Sequence, residues 1–411
     1  MNHKSLFISL FSTFLAGSAF AAPAMQLGDG IQLHLLGEVE YVYDDNILRQ
    51  GEGSEQSAQY ITFTPGVELR FMERGAASAT VSYRHSIDGF RDLNELNGDY
   101  SDLRAKAQYN SGRLLASLNG SYRELSTTRD FDTSEIGVLP GLVQRDETKA
   151  GGDVRYEISE LLAASSGVTY EEVDYDANIY TDYESYSIPL MVIYKWKPKL
   201  ELNAGVQYRI TDSDSSSPFM FMDQGGNLTI EPRDFDYEDI YYFVGARGEL
   251  FTPVLYADVS VGFLERDFKD WDTDASSTSY NVTLTYVGDA KTTVYLTLSR
   301  DYNTSAFRGN NYALTKAALG ARYALTDKIG FRASASVGEL DYDVQFDSSS
   351  GELVGNPRAS DLMTYSVGAY YSPNEYLRFN AGYTFNDVER KGGNSPEYDN
   401  SRFRVSASVR Y

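Results

Sequence analysis

Hydrophobic and polar residues alternate along most of the chain with a period of two. In the C-terminal segment, one set of positions carries Phe403, Val405, Ala407, Val409 and Tyr411, and the other carries Arg402, Arg404, Ser406, Ser408 and Arg410. The same alternation runs through 61–69, 200–210 and 377–385. Because successive side chains of a β-strand point to opposite faces, this pattern predicts strands with one apolar and one polar face.

Eighteen segments share this pattern, and no stretch shows a convincing helical period of 3.6 residues. They begin near Gln32, Gln59, Ala77, Ser101, Leu114, Thr148, Leu162, Glu184, Leu200, Tyr237, Val254, Thr278, Thr292, Asn311, Ile329, Asp361, Tyr376 and Ser401. A soluble β-sandwich fits so many consecutive half-apolar strands poorly.

The connections between these segments alternate in length. Short ones contain turn residues, as in 110–112, 197–199 and 373–375, whereas long polar ones include 44–57, 126–147, 211–236, 345–360 and 391–400. Outer-membrane barrels have tight periplasmic turns and long external loops. We therefore predict an all-β fold, a single transmembrane antiparallel β-barrel of about 18 strands.

The N-terminus has the three parts of a secretory signal peptide. A short polar start with Lys4 precedes the apolar run Leu6–Ala16, and Ala19-Phe20-Ala21 is a small-x-small cleavage site. We expect residues 1–21 to be cleaved and residues 22–411 to form the barrel. No later segment reaches the ~18 apolar residues of a spanning helix. The expected location is the bacterial outer membrane, with lipid and lipopolysaccharide as partners.

Composition narrows the possible functions. The chain has a net charge of −23, no cysteine and only three histidines, which excludes disulfide or thiol chemistry and leaves little for a histidine metal site. Its acidity argues against nucleic-acid binding. Because no catalytic motif occurs, we expect no enzyme activity, cofactor or metal. Tyrosines near strand ends are expected to form membrane-interface girdles: Tyr41, Tyr43, Tyr109, Tyr122, Tyr156, Tyr170, Tyr194, Tyr208, Tyr286, Tyr323 and Tyr411.

In a barrel, the polar face of each strand lines the lumen, and basic residues recur on these faces. The candidate lumen-lining residues are Arg70, Arg84, Arg104, Arg123, Arg155, Arg209, Arg247, Arg322, Arg332, Arg378, Arg404 and Arg410. Fewer acidic residues share the predicted faces, so the excess acid is expected in loops and strand tips, including a cluster from Asp212 to Asp239. Two interpretations remain open: a path for anionic solutes, or Arg–Glu pairs that stiffen a polar interior.

A short motif ends the first predicted strand. The sequence Tyr41-Val42-Tyr43-Asp44-Asp45-Asn46-Ile47 resembles the start of an outer-membrane β-barrel porin family whose members are often encoded beside exopolysaccharide biosynthesis and export genes. The resemblance implies an export apparatus and an anionic polysaccharide as partners. It also implies that Tyr43, Asp44, Asp45 and Asn46 end a strand and turn the chain, a structural role, since Asp and Asn favour turns.

The sequence thus favours an outer-membrane channel that takes part in surface polysaccharide export. The alternatives are a general porin for small anions and a plugged structural or adhesion barrel. The apolar run Phe219-Met220-Phe221-Met222 lies in a long loop, where it could constrict the lumen, touch a partner or pack on its neighbours.

Overall fold

The computed structural model describes residues 23–71, 75–129, 141–214, 219–222, 228–231, 235–269, 274–306, 311–347, 352–355, 359–391 and 397–411. The predicted signal peptide lies outside these residues. The described residues include eighteen long strands: β1 (Ile31–Asp44), β2 (Ala58–Phe71), β3 (Ala77–Phe90), β4 (Gly98–Asn110), β5 (Leu114–Ser126), β6 (Gln144–Glu157), β7 (Leu162–Tyr175), β8 (Asp182–Lys197), β9 (Leu200–Asp214), β10 (Tyr237–Glu249), β11 (Leu255–Phe268), β12 (Asp274–Val287), β13 (Thr292–Thr304), β14 (Asn311–Ala324), β15 (Ile329–Asp347), β16 (Ala359–Tyr371), β17 (Leu377–Lys391) and β18 (Tyr398–Arg410). The described part of the chain holds no helix long and apolar enough to cross a membrane.

The strands form one closed antiparallel barrel. Each strand pairs with the next along the chain, and β1 pairs with β18 from Leu36 opposite Arg410 to Asp44 opposite Arg402. This confirms the predicted fold class. The predicted strand starts lie close to the observed ones, and the largest displacements are at β6 and β12, whose external ends the alternation missed.

The two ends of the barrel differ. Short turns such as 111–113, 198–199 and 288–291 lie at one end, and longer connections such as 45–57, 127–143 and 215–236 lie at the other. By the convention of outer-membrane barrels, these are the periplasmic and the external end. The run Phe219–Met222 forms a separate small hairpin with Leu228–Glu231.

Apolar side chains face outwards. Large hydrophobic residues such as Val39, Val192, Val261 and Val405 are exposed although they lie within the strands, as expected of a surface that contacts lipid. Nine of the predicted girdle tyrosines are also exposed: Tyr41, Tyr43, Tyr109, Tyr156, Tyr194, Tyr208, Tyr286, Tyr323 and Tyr411. The other two, Tyr122 and Tyr170, are half-buried because their hydroxyls donate to carboxylates of neighbouring strands.

The outward positions at the external strand ends form an acidic belt. The pairing register places on this face Glu124, Asp146, Glu172, Asp174, Glu184, Asp212, Glu238, Glu265, Asp267, Glu339, Asp341, Asp361, Asp387, Glu389 and Asp399. Hydroxyls just below the belt donate to it, as from Tyr122 to Asp146 at 2.9 Å. The belt therefore holds much of the excess negative charge at the strand tips.

Candidate functional site: the barrel lumen

A hairpin leans into the lumen from one wall. β12 and β13 pair only between Tyr280 opposite Arg300 and Val287 opposite Thr293, so residues 274–279 of β12 have no partner on β13. Beyond Arg300 the external part of the β13–β14 hairpin separates from β12 while β14 stays paired with β15, and buried residues lie on both faces of the hairpin. The hairpin therefore narrows the external half of the lumen.

The two faces of this hairpin pack against different walls. Tyr302 and Ala313 contact Tyr241 and Leu264 of β10 and β11. Tyr312 and Leu314 belong instead to a cluster on β14–β18 that includes Leu340, Leu362, Val388 and Tyr398. Apolar burial on both sides holds the hairpin inside the barrel.

Arg266 on β11 fastens the hairpin to the wall. Its guanidinium is fully buried and is bound to Asp239 of β10, with Nε 2.7 Å from Oδ1. The same guanidinium donates to Thr304 Oγ1 at 3.0 Å and to Asn311 Oδ1, both at the tip of the hairpin. It also lies over the ring of Tyr302, 4.9 Å from the centroid. Arg266 thus joins β10 and β11 to the hairpin through one charged group.

A second segment enters the lumen from the opposite side. The chain after β5 crosses to β18, where Arg402 donates to Thr128 O at 3.0 Å and to Arg129 O at 3.1 Å. Arg404 also donates to Arg129 O, at 3.2 Å. The guanidinium of Arg129 in turn lies 3.5 Å from the buried carboxylate of Asp88. Backbone carbonyls and one ion pair therefore hold this segment against β3 and β18.

The inward segments meet each other. Thr181 N, before β8, donates to Ala306 O at the tip of the β13–β14 hairpin at 2.9 Å. Val143, Tyr180 and Ala306 form one buried cluster across the lumen. Among the described residues, the external end of the barrel is thus bridged by chain from three connections.

The motif residues Tyr43, Asp44, Asp45 and Asn46 lie at the seam between the first and last strands. Tyr43 faces outwards, and the buried carboxylate of Asp44 faces inwards, with Oδ2 2.6 Å from Arg402 Nη2. Asp44 Oδ1 also accepts the backbone N–H of Asn46 at 2.9 Å, which turns the chain.

The next two residues of the motif bind the last strand. Asp45 Oδ1 accepts the backbone N–H of Ser401 at 2.6 Å, and Asn46 Nδ2 donates to Asp399 O at 2.9 Å. Each contact joins the loop after β1 to β18. In this structure the motif's contacts are with the barrel itself.

Many of the candidate arginines have carboxylate partners. Ion pairs join Arg70 and Arg410 to Glu68, Arg104 and Arg123 to Asp102, Arg155 to Glu157 and Glu201, Arg209 to Asp239, and Arg247 to Asp258. All of these carboxylates lie on β2–β11. This side of the lumen is therefore a mixed wall, in which positive and negative charges are paired.

The remaining candidates lie mainly on the other side. Within the described part of the chain, Arg84, Arg322, Arg332 and Arg378 form no ion pair, whereas Arg404 binds the Arg129 carbonyl. The inward positions of β14–β17 carry Lys316, Arg322, Arg332, Arg378 and Arg390, and no described carboxylate. We call these four strands the basic wall.

Sequence reasoning missed several buried charges. Asp239, expected in a solvated acidic loop, lies inside β10 and is 1 % exposed because Arg209 and Arg266 both bind it. The signal was present, since Asp239 alternates with Tyr237 and Tyr241. In contrast, the burial of Arg49, which donates to a loop carbonyl, left no pattern in the sequence. No described group of His, Asp and Glu side chains is placed to hold a metal ion.

Neither a protein-family model nor a curated protein matches this sequence. The fold is nevertheless similar to solved outer-membrane proteins. The FrpB iron transporter from Neisseria meningitidis, in its apoprotein form, has 9 % identity and a TM-score of 0.50, over 93 % of this chain and 82 % of that chain. A mutant of the ferric enterobactin receptor PfeA from Pseudomonas aeruginosa, in complex with enterobactin, has 8 % identity and a TM-score of 0.51, over 92 % and 81 % of the two chains. These likenesses show the fold alone, that of a β-barrel of the bacterial outer membrane.

Proposed function

We propose that the protein is an outer-membrane channel for anionic solutes that takes part in the export of an acidic surface polysaccharide. The observation that carries the proposal is the basic wall. Four adjacent strands present arginine and lysine to the lumen with no described carboxylate among them. Low-dielectric walls focus the field of such a surface and raise the local concentration of anions.

The distribution of charge supports a conducting role over a purely structural one. An interior stiffened by ion pairs would place a carboxylate near each arginine, as the mixed wall does for Arg155, with Glu201 2.6 Å away. The basic wall departs from this pattern although the whole chain is strongly acidic. Arg322, Arg332 and Arg378 form no ion pair with the described residues, and such cations on one side of a lumen favour passage or binding of anions.

The resemblance of the Tyr41–Ile47 motif to the exopolysaccharide-associated family supports a polymer as the solute. The bridged external end supports a channel that opens briefly at rest and stays open during export, because an exported chain needs an exit and the resting membrane needs a barrier. The basic wall would equally suit a general porin for small anions. Polysaccharide export and small-anion passage therefore differ in the size of the solute.

The test is the reversal potential of the refolded protein in planar bilayers across a KCl gradient. The wild type and an Arg266→Met variant, which loses the fastening of the hairpin, should prefer chloride. Changing Arg322, Arg332 and Arg378 together to Ser should remove most of this preference. The matched control changes Arg247 and its partner Asp258 together to Ser, which removes one positive and one negative charge from the mixed wall and should leave the chloride preference unchanged.

Two results would contradict the proposal. One is an unchanged reversal potential in the basic-wall variant. The other is a barrel that stays silent even with Arg266→Met, which would identify a plugged structural barrel. Block of the chloride current by trigalacturonate but not by maltotriose supports an acidic saccharide as the solute, and indifference to both supports a small-anion porin.

A further inference from the structure

We infer that the basic wall contains a binding subsite for an acidic saccharide, formed by Arg322 and Arg332 between the rings of Tyr295 and Tyr370. The inference rests on the proposed function and names the place where the solute is recognised. The subsite lies in the periplasmic half of the lumen, away from the inward-leaning hairpins.

The positive charges of Arg322 and Arg332 repel each other. Arg322 on β14 lies directly opposite Arg332 on β15, and both side chains are exposed to the lumen. Directly opposite residues have Cβ atoms about 4.5–5.5 Å apart, and like charges there are destabilising. No carboxylate of the described residues forms an ion pair with either one. A bound carboxylate would relieve the repulsion and could accept from both guanidinium groups.

Two tyrosine rings lie flat on the wall on either side of this pair. Tyr295 on β13 is opposite Gly320, and its ring occupies the space that a Cβ at Gly320 would need. Tyr370 on β16 is opposite Gly330, where an added Cβ would lie 2.5 Å from the ring, and the guanidinium of Arg378 lies over this ring, 4.5 Å from its centroid. Tyr370 thus places a third cation of the basic wall beside the arginine pair. Glycine at both positions lets the rings lie against the backbone.

The strand directions place the two rings at different heights along the barrel, with the arginine pair between them. Gly320 precedes Arg322 by two residues on a descending strand, so the Tyr295 ring lies on the external side of the arginines. Gly330 precedes Arg332 by two residues on an ascending strand, so the Tyr370 ring lies on the periplasmic side. Two residues along a strand span about 6.8 Å.

This order of groups fits one chemical class of ligand. The phenol ring of Tyr295 offers a flat surface to the C–H face of a pyranose, and the paired arginines, with Arg378 beside them, bind a carboxylate on the same sugar chain. Small anions would use the arginines only, and neutral sugars would use the Tyr295 ring only. The combination selects a saccharide that bears carboxylates.

Isothermal titration of the mature protein in detergent micelles tests the subsite, with trigalacturonate, maltotriose and sulfate as probes. Trigalacturonate should bind more tightly than either of the others. Changing Arg322 and Arg332 together to Ser should weaken its binding by about tenfold or more. Changing Tyr295 to Leu keeps Gly320 covered but removes the flat ring, and should also weaken binding. Heat-modifiable mobility on gels verifies that each variant is a folded barrel.

The matched control is Arg104→Ser with Arg247→Ser, which removes two arginines of the mixed wall and should leave trigalacturonate binding unchanged. Equal binding by the wild type and the Arg322/Arg332 variant would overturn the subsite, while an anion preference in bilayers would leave the proposed function standing. If sulfate bound as tightly as trigalacturonate and Tyr295→Leu had no effect on binding, the saccharide assignment would be overturned. A wild type that binds no trigalacturonate overturns the subsite, and the reversal potential then decides the proposed function separately.

Discussion

Asp44 on the first barrel strand and Arg402 on the last form a buried ion pair, with Oδ2 and Nη2 2.6 Å apart. The pair lies at the seam that closes the barrel. Changing Asp44 to Asn keeps the shape of the side chain but leaves the guanidinium without this counter-charge. Breaking a buried pair by removal of one partner costs about 3–5 kcal/mol. We expect Asp44→Asn to lower the midpoint of guanidinium unfolding for the barrel in lipid vesicles.

Glu52→Gln is the control for this substitution, because Glu52 lies in the loop after β1 and is exposed. Its effect on the free energy of unfolding should stay within about 0.5 kcal/mol. An Asp44→Asn barrel that unfolds at the wild-type midpoint would show that the seam does not depend on this pair.

Arg266→Met should loosen the β13–β14 hairpin. The substitution removes the hydrogen bonds to Thr304 and Asn311 that hold the hairpin tip, while Arg209 still neutralises Asp239. We expect longer or more frequent open events in single-channel records. Arg300→Met is the control, because among the described residues Arg300 binds Thr315 of the same hairpin at 2.7 Å and Asp341 of β15 at 3.8 Å, and has no hydrogen bond or ion pair to β10 or β11. Identical records for the wild type and Arg266→Met would refute the fastening role.

A disulfide should lock the external bridge. The chain has no cysteine, so Thr181→Cys with Ala306→Cys introduces the only two thiols. The backbone hydrogen bond from Thr181 N to Ala306 O, at 2.9 Å, makes the two residues neighbours across the lumen. Oxidation should suppress conductance and reduction should restore it. A current that is unaffected by oxidation, with the disulfide verified by mass spectrometry, would mean that this bridge does not control the pore.

The periplasmic turn between β12 and β13 should respond to acid. Asp289 Oδ1 accepts the backbone N–H of Lys291 at 2.8 Å and of Thr292 at 2.6 Å, and these bonds lower the pKa of the carboxyl. The stabilisation is present above the ordinary aspartate pKa and is lost as pH falls through the lowered value. NMR amide shifts of Lys291 and Thr292 should follow that titration, and Asp289→Asn should abolish it. If the amide shifts of Lys291 and Thr292 did not change with pH over this range, the proposed role of the Asp289 carboxylate would be wrong.

The period-two alternation of hydrophobic and polar residues predicted most of the fold. One-residue alternation decides which face of a strand meets lipid, so the exposure of Phe403 and Val405 and the burial of Arg402 followed from the C-terminal sequence alone. The strand number followed as well, because every strand has the same two-faced pattern. The sequence could not show which arginines are paired, because Arg155 and Glu201 meet across two intervening strands.

The sequence could not predict the inward position of the β13–β14 hairpin, for a related reason. Alternation assigns Tyr302 and Ala313 to the outward face, yet both are buried because the hairpin separates from β12 after Arg300. Departure of a strand from its neighbour is a tertiary event, driven by clusters whose members lie far apart in the chain. The strand pattern is the same whether the hairpin stands in the wall or inside it.

The unpaired edge of β12 determines how deeply the protein sits in its membrane. Residues 274–279 have no partner on β13, and each unsatisfied backbone group in hydrocarbon costs several kcal/mol. The hydrocarbon layer must therefore end at about the level of Tyr280. The carboxylates of Glu265 and Asp267 lie above this level, since Glu265 is opposite Ser276. The acidic belt and the end of the hydrogen-bonded pairing between β12 and β13 thus lie at the same height, that of the phosphate and sugar layer of the outer leaflet.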